Sequence, residues 1–230
     1  MAPKILFILT STGKIPSTGK QTGWYLPEVA HPWHELHTKA EITFASPAGG
    51  EAPLDPASVE AFKADPISAS FLENQKSLWE NTVPLSSLVP RASEFDAVFF
   101  PGGHGPMFDV VNDKDSIRIT EAVYAAGKPV AAVCHGPAGL LNVTAPDGNS
   151  ILEGRTVVGF SDSEEEAAGF VPEMPFSLEK ELGKKSGGGY VKAEKDWGEK
   201  VVVDGRVITG QNPASSKGVA EAIAKALGEF

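Results

Sequence analysis

The chain is poor in cysteine, in basic residues and in long apolar segments. It has one cysteine among 230 residues, which excludes an intramolecular disulfide and any metal site built from several cysteines. No apolar run approaches the roughly 18 residues that a membrane-spanning helix requires. The apolar stretch near the N-terminus is shorter than the ~7–15 residues of a secretory signal core, and we interpret it as a buried first strand. These absences favour a cytoplasmic protein without membrane association, with the nucleus left open as a second compartment.

Positive charge is also scarce. Lysine and arginine number 20 against 30 aspartate and glutamate residues, and the formal net charge is −10. An acidic chain without a lysine or arginine cluster is a poor candidate for binding nucleic acid or an anionic membrane. Apolar residues, in contrast, make up 41% of the chain, which is enough to bury a substantial core in one domain.

The order of apolar and amphipathic segments predicts an α/β fold. Short β-branched runs alternate with helical segments, a pattern typical of a mostly parallel sheet covered by helices. The predicted strands are Lys4–Leu9, Glu41–Ala45, Asp96–Phe100, Val130–Val133, Arg155–Val158, Lys200–Val203 and Arg206–Thr209. The predicted helices are Tyr25–Thr38, Asp115–Ala126, one or two turns after His135, Ser163–Gly169, a piece near Pro175–Leu182, and Pro213–Leu227.

Residues 49–90 interrupt this alternation. Proline and aspartate are scattered through the segment, and its apolar periodicity is weak. We interpret it as an insertion that forms a small, partial cap. The whole chain, residues 1–230, is then one domain that carries this cap.

The only cysteine stands where a predicted strand ends. An apolar strand runs into Cys134, and His135, Gly136 and Pro137 follow at once. This is the layout of a nucleophile elbow, in which a tight turn presents a side chain above the carboxyl end of a strand. Open α/β sheets bind ligands at that edge, and a helix N-terminus there favours a thiolate. A lone cysteine is more often a small buried apolar residue, but this setting favours a reactive, ionised Cys134.

A second strand end carries a glycine-rich turn. Residues 101–105 read Pro-Gly-Gly-His-Gly, and Gly102 and Gly103 can adopt the positive φ that turns backbone N–H groups into a site. Beside Cys134 these N–H groups would form an oxyanion hole, with His104 as a further substrate-binding residue. The alternative is an ordinary strand-to-helix turn that the histidine caps.

Glu28 is a third candidate. It lies among apolar residues at the start of a predicted helix, where a desolvated carboxyl group would have a raised pKa and could hold a proton. Spacing alone favours a solvated first-turn glutamate instead. The nearby His31, His34 and His37 invite a metal interpretation, but steps of three drift around a helix, and surface histidines are the better interpretation.

Together these segments resemble the ThiJ/PfpI superfamily. The likeness runs in register from about Lys4 to Leu227 and is carried by Ala131–Pro137, Pro101–Gly105 with Phe108 and Asp109, Glu28 with Ala30–Pro32, and Thr209–Pro213. It is greatest to the fungal heat-shock-31-like branch, known as glutathione-independent glyoxalase III or D-lactate dehydratase. The resemblance implies a flavodoxin-like three-layer sandwich, a homodimer, and no added cofactor or metal.

The resemblance also implies site residues and a reaction. The nucleophile falls on Cys134, its neighbouring histidine on His135, the helix-start glutamate on Glu28, and a further acidic residue on Glu165, for which Glu166 is the alternative. A lyase of this kind converts methylglyoxal, a small 2-oxoaldehyde, to D-lactate through a hemithioacetal on the cysteine. Glu165 would orient His135, and either His135 or Glu28 would move a proton between the two carbons.

Two other functions remain open on the sequence. A cysteine–histidine pair on this fold also resembles amidase and peptidase sites, and protein deglycation is attributed to relatives. The other class is a stress-response holdase chaperone or a redox sensor, with Cys134 as an oxidation switch. A chaperone would use an exposed apolar patch, to which Trp24, Trp33, Trp79 and Phe71 could contribute, although core packing is their more common use.

Overall fold

One mixed sheet organises the chain. The computed structural model describes residues 2–228, so residues 1, 229 and 230 of the predicted domain lie outside the described chain. Within it, seven strands pair in the order β3-β2-β1-β4-β5-β7-β6, and every pairing is parallel except β6 with β7. The strands are β1 Lys4–Ile8, β2 Glu41–Ser46, β3 Val83–Pro84, β4 Ala97–Phe100, β5 Val130–Val133, β6 Val201–Asp204 and β7 Val207–Gly210. The predicted α/β class is confirmed.

Helices cover both faces of the sheet and make it the middle of three layers. The α-helices in the described residues are α1 Leu26–Leu36, α2 Pro56–Ala61, α3 Pro66–Asn74, α4 Lys76–Glu80, α5 Leu85–Leu88, α6 Lys114–Ala125, α7 Asp162–Ala168, α8 Leu178–Lys185 and α9 Ser216–Ala226. Helix α1 packs against α3 and α9, whereas α6 packs beside residues 89–94. No helix within residues 2–228 is both long and apolar enough to cross a bilayer.

The central strands are buried on both sides, which explains why their sequences are continuously apolar. In β4 and β5 every residue is buried. Phe7 of β1 packs its ring 5.2 Å from that of Phe44 and 4.9 Å from that of Phe99. Because these strands are parallel, their carboxyl ends share one edge of the sheet, and the segments that follow β4 and β5 are brought together there.

The structure differs from the predicted strands at two places. The segment Arg155–Val158 is not a strand, and Val157 makes only an isolated bridge with Tyr190. The position beside β5 is taken by β7, so residues 155–158 contribute apolar side chains to the core without joining the ladder. The two-residue strand β3 was missed because it is too short to show a period and ends in Pro84.

Residues 49–90, which we interpreted as an insertion, fold into α2–α5 and β3. Helices α2 and α3 each begin with an aspartate cap followed by proline, a common start signal. Asp55 accepts a hydrogen bond from the N–H of Ala57 at 2.8 Å, and Asp65 accepts one from Ser68 at 2.9 Å. The boundaries of the insertion remain a prediction.

The tryptophans proposed for an exposed apolar patch pack into this part of the core. Trp24, Phe71 and Trp79 are 0%, 1% and 7% exposed, and the Trp24 ring meets the other two edge to face at 6.3 and 5.6 Å. Trp33 is partly buried against the same cluster. Core packing, the more common use expected from the sequence, is therefore the role of Trp24, Phe71 and Trp79.

Candidate active site

Cys134 occupies a strained turn directly after β5. Its φ is 62°, a left-handed conformation that is uncommon outside glycine and marks functional turns. The backbone is fixed on both sides, because Cys134 N donates to the carbonyl oxygen of Gly210 at 3.0 Å and its own carbonyl accepts from Phe160 N at 2.8 Å. The following residues, Gly136–Leu140, form a 3₁₀ helix rather than the α-helix start that would favour a thiolate.

The neighbouring histidine connects the sulfur to a carboxylate. His135 Nδ1 lies 3.4 Å from Cys134 Sγ, and His135 Nε2 lies 2.6 Å from Glu165 Oε2. All three residues are at least nine-tenths buried. Glu166, the alternative on the sequence, is exposed, so the structure places Glu165 and not Glu166 in this arrangement.

Glu165 also binds His104. The other carboxylate oxygen, Oε1, lies 2.7 Å from His104 Nε2, and the two imidazole rings are 4.4 Å apart. Burial acts to raise the pKa of Glu165, but its interactions with His135 and His104 lower that pKa well below its usual range. The carboxylate is therefore ionised at neutral pH. The imidazole of His104 thus binds Glu165 rather than capping its own turn.

The ligand atoms of His104, His135 and Glu165 lie within 4.8 Å of one another, a spacing that would also suit a metal ion. Both histidine Nε2 atoms are already bound to the carboxylate, one on each oxygen. These two hydrogen bonds account for the clustering, and a metal ion would have to displace both. We derive no chemical step through a metal here.

Glu28 lies at the start of α1 with 0% exposure. Its Oε2 accepts a hydrogen bond from Gly102 N at 2.7 Å, whereas Oε1 is buried without a partner of good geometry in the described chain. Burial raises the pKa of Glu28 to about 8, against smaller opposing effects of Cys134 and of the Gly102 N–H. The structure therefore supports a desolvated Glu28 carboxyl group rather than a solvated first-turn glutamate. With this pKa the group holds a proton at neutral pH.

The sulfur differs from the sequence expectation. Cys134 is 4% exposed, and burial together with the nearby Glu28 raises the pKa of its thiol, whereas the N–H of Gly103 lowers it. The expected exposure of the sulfur is therefore wrong, and burial favours the protonated thiol in the resting site. Burial lowers the pKa of His135, so its imidazole is neutral and can take the proton as the sulfur attacks.

The two candidate oxyanion glycines have different roles. Gly102 N is bound to Glu28 and is not free to bind an oxyanion, so that assignment is corrected. A Cβ at Gly102 would lie 2.6 Å from His135 N, which shows that the glycine permits close approach of the two strand ends. Gly103 has a φ of +86°, and its backbone N–H lowers the pKa of the Cys134 thiol.

A cavity of about 140 Å³ opens over the sulfur. Its walls combine the candidate catalytic groups with aromatic and small apolar side chains, and the lining residues are Gln21, Tyr25, Glu28, Asp55, Ala57, Gly103, His104, Cys134, His135, Phe160, Ala168, Phe170, Trp197 and Pro213. Trp197 is 50% exposed and marks the mouth of the cavity. The site therefore admits a small molecule to a buried sulfur.

Glu164 and Asp55 also lie in or beside the site, although neither was among the predicted site residues. Glu164 is fully buried and completes a capping box with Ser161 at the start of α7. Its other oxygen accepts from Trp197 N and Asn212 Nδ2, both at 2.8 Å. The pattern Ser-x-x-Glu at 161–164 is a capping signal that could have been recognised, whereas no local signal places Asp55 in the cavity.

His31 and His34 of α1 and His37, which follows the helix, do not form a metal site in the described chain. His31 Nε2 pairs with Asp65 Oδ2 at 2.9 Å, and the His37 ring stacks on Trp33 at 4.0 Å. These contacts agree with the interpretation of surface histidines.

Residues 28–226 match the DJ-1/PfpI family. Glyoxalase 3 of Candida albicans is 34% identical over 234 residues, which cover 97% of this chain and 98% of that protein. Glutathione-independent glyoxalase HSP31 of Saccharomyces cerevisiae is 31% identical, with 96% of each chain covered.

Solved structures agree with these relatives. The crystal structure of glyoxalase III from Candida albicans superimposes with a TM-score of 0.89 at 32% identity, covering 98% of this chain and 97% of that one. Rapid Encystment Protein 24 KDa of Francisella tularensis gives a TM-score of 0.91 at 34% identity, covering 98% and 99%. The superfamily resemblance inferred from the motifs is thereby confirmed, and the chain belongs to the DJ-1/PfpI family.

Proposed function

We propose that the protein is a glutathione-independent glyoxalase that converts methylglyoxal to D-lactate, with Cys134 as the nucleophile. The observation that carries this proposal is the set of hydrogen-bonding contacts from the sulfur through His135 to Glu165 at the base of a small cavity. The names of the relatives in Candida albicans and Saccharomyces cerevisiae support the same reaction.

The first step joins the substrate to the enzyme. The sulfur of Cys134 adds to the aldehyde carbon, and the thiol proton passes through His135 Nδ1, 3.4 Å away, to the former carbonyl oxygen. The product is a neutral hemithioacetal. The N–H of Gly103, which acts on the pKa of the thiol, would stabilise this oxygen while it carries charge.

The second step moves hydrogen between two carbons. A base removes the hydrogen on the former aldehyde carbon, and a proton returns to the neighbouring ketone carbon through an enediol. The first carbon is thereby oxidised to a thioester and the second reduced to an alcohol, so no external oxidant or reductant is needed. We assign the proton transfer to Glu28 in its ionised form, which its pKa of about 8 makes the minor form at neutral pH. The carboxylate takes the hydrogen from the first carbon, and the carboxyl group so formed returns a proton to the second.

The last step releases the acid. Water attacks the thioester with His135 as the base, the hydroxy acid leaves, and the thiol is restored. Glu165 holds the imidazole and balances the charge that forms on it. On this mechanism the enzyme is a lyase of the D-lactate dehydratase type, and it requires no added cofactor.

The size of the cavity favours this reaction over the peptidase and deglycase alternatives. About 140 Å³ is below the roughly 300–1,000 Å³ of pockets that hold drug-sized ligands. A polypeptide chain would need an open groove across the sulfur, whereas a three-carbon dicarbonyl needs only the cavity.

The proposal is tested by incubating the protein with methylglyoxal in the absence of glutathione. Loss of the dicarbonyl and the chirality of the lactate are followed together. We expect D-lactate from the wild type and none from Cys134→Ala. An inactive wild type would overturn the glyoxalase assignment, and undiminished turnover by Cys134→Ala would overturn the mechanism.

A further inference from the structure

The cavity over Cys134 is lined by two histidines and two carboxyl groups. Among the described residues its lining contains two carboxyl groups, those of Glu28 and Asp55, and no lysine or arginine. Sites that bind carboxylates normally supply an arginine, a lysine or a cluster of free N–H donors. This cavity instead offers a second acid, for which the proposed mechanism has no use.

Asp55 is held rigidly in that wall. It is the N-cap of α2, where Oδ1 accepts from Ala57 N at 2.8 Å. Its backbone N–H donates to the carbonyl oxygen of Trp24 at 3.0 Å, and its carbonyl accepts from the Ser58 hydroxyl at 2.6 Å. The side chain therefore cannot swing away from the cavity when a ligand enters.

The charge of Asp55 is not neutralised by a neighbouring cation. The residue is 6% exposed, and it takes part in none of the ion pairs found within residues 2–228. Burial raises the pKa of Asp55, whereas the hydrogen bond from Ala57 and the nearby His104 act to lower it. The position at a helix N-terminus also favours the ionised form. Water screens a charge poorly in so closed a site, so its repulsion of another anion is strong.

We propose that Asp55 is a specificity-determining residue that keeps the cavity for uncharged 2-oxoaldehydes and expels carboxylates. The effect has two consequences. Anionic 2-oxoacids, which resemble the substrate in shape, are rejected on entry. The hydroxy acid that the reaction forms ionises beside Asp55 and is driven out, which limits product inhibition.

The identity of the product rests on the proposed function. The repulsion of carboxylates by Asp55, in contrast, is measured by ligand binding without turnover. D-Lactate and D-lactamide have nearly the same shape and differ by one negative charge. Asp55→Asn removes the charge of the side chain and keeps an oxygen that can cap α2, because asparagine is as good an N-cap as aspartate. Asp113→Asn is the matched control, since Asp113 caps α6 through Ser116 N at 2.7 Å and lies outside the cavity lining.

The dissociation constants of both ligands are measured by ligand-observed NMR on the wild type and the two variants. We expect the ratio of the D-lactate constant to the D-lactamide constant to fall about tenfold or more in Asp55→Asn, with no change in Asp113→Asn. Asp55→Ser, which also keeps a capping oxygen, serves as the second variant if asparagine lowers the melting temperature.

An unchanged ratio in both Asp55 variants would overturn the inference, as would an equal fall in Asp113→Asn. These outcomes do not depend on turnover. If the wild type fails to convert methylglyoxal, the proposed function fails and the binding ratio still decides the role of Asp55. If turnover is normal and the ratio does not move, only the role of Asp55 fails.

Discussion

His135 Nε2 lies 2.6 Å from Glu165 Oε2, a hydrogen bond between residues 30 positions apart in the chain. An ionised carboxylate only accepts, so this contact places the ring hydrogen on Nε2 and leaves Nδ1 as the acceptor. Nδ1 is the atom that faces Cys134 Sγ. The carboxylate therefore sets which nitrogen can act as the base toward the thiol.

We expect Glu165→Gln to reduce kcat for methylglyoxal by about 10²- to 10⁴-fold, because it removes the charge that stabilises the imidazolium. Steady-state kinetics provide the measurement. Glu166→Gln is the control, because Glu166 is exposed and the same chemical change there should leave kcat within about twofold. A Glu165→Gln enzyme with more than half of the wild-type kcat would contradict the assignment.

Glu164→Gln should affect stability rather than catalysis. The Glu164 carboxylate accepts hydrogen bonds from Ser161, Trp197 and Asn212, and an amide can accept at only one of its two ends. We expect the free energy of unfolding to fall by about 1–3 kcal/mol, as measured by urea denaturation. If instead stability is unchanged and kcat collapses, Glu164 would have a direct part in the reaction.

Glu28→Gln should change how stability depends on pH. In the folded protein the pKa of Glu28 is raised to about 8 from the ordinary 4.5, so the folded state keeps a proton that the unfolded state releases. The resulting stabilisation is full below about pH 4.5 and is lost as the pH rises through about 8. Glutamine stays neutral, so the melting temperature of the variant should rise relative to that of the wild type as the pH increases from about 4.5 to about 8.

The groups that interact with Glu28 include Cys134, Asp55 and Tyr25, and the sulfur titrates with it. The same comparison in a Cys134→Ser background separates the two ionisations. A pH-independent difference in melting temperature in both backgrounds would show that Glu28 is not buried in its protonated form. We also expect Glu28→Gln to lose at least about 10²-fold in kcat, since the amide cannot transfer the proton.

Gly103→Ala tests the backbone donor at the sulfur. Gly103 has a φ of +86°, and a Cβ there would lie 2.1 Å from the carbonyl oxygen of Gly23, so the turn must shift. We expect a loss of about 10²–10³ in kcat per folded molecule, with active protein quantified by thiol titration of Cys134.

Gly127→Ala is the matched control for backbone strain. Gly127 has a φ of +84°, but the nearest atom to its Cβ would be 4.0 Å away. This substitution should cost about 1–2 kcal/mol of stability without changing kcat. Equal losses of kcat in the two variants would mean that backbone strain, and not the N–H of Gly103, accounts for the effect.

Several features of the site could be predicted from short segments of sequence. The turn at Cys134 follows from an apolar strand that ends in a run of small residues, and Val130–Val133 forms as predicted. The positive φ of Gly103 follows from the glycine-rich turn after β4. These features depend on local backbone preferences, which neighbouring residues determine.

Other features could not be predicted locally. Arg155–Val158 has the composition of a strand, yet β7 occupies the position beside β5. The expected lowering of the Cys134 pKa assumed an α-helix N-terminus, whereas a 3₁₀ helix follows the residue and burial raises that pKa. Three consecutive glutamates of α7 have different environments, because successive side chains on a helix point in different directions. Glu164 is buried in structural hydrogen bonds, Glu165 contacts the site histidines, and Glu166 is exposed.

The sequence by itself determined the α/β fold, the strand-end position of Cys134 and the glycine turn beside it, because periodicity and turn chemistry are local properties of the chain. The tertiary structure decided which groups surround the sulfur. Four separate segments supply these groups, and the contacts among them depend on how the segments pack at one edge of the sheet. The residues are Glu28, Asp55, His104 and Glu165. Burial and electrostatic interaction arise only from that packing, so the protonation states that govern the chemistry are tertiary properties.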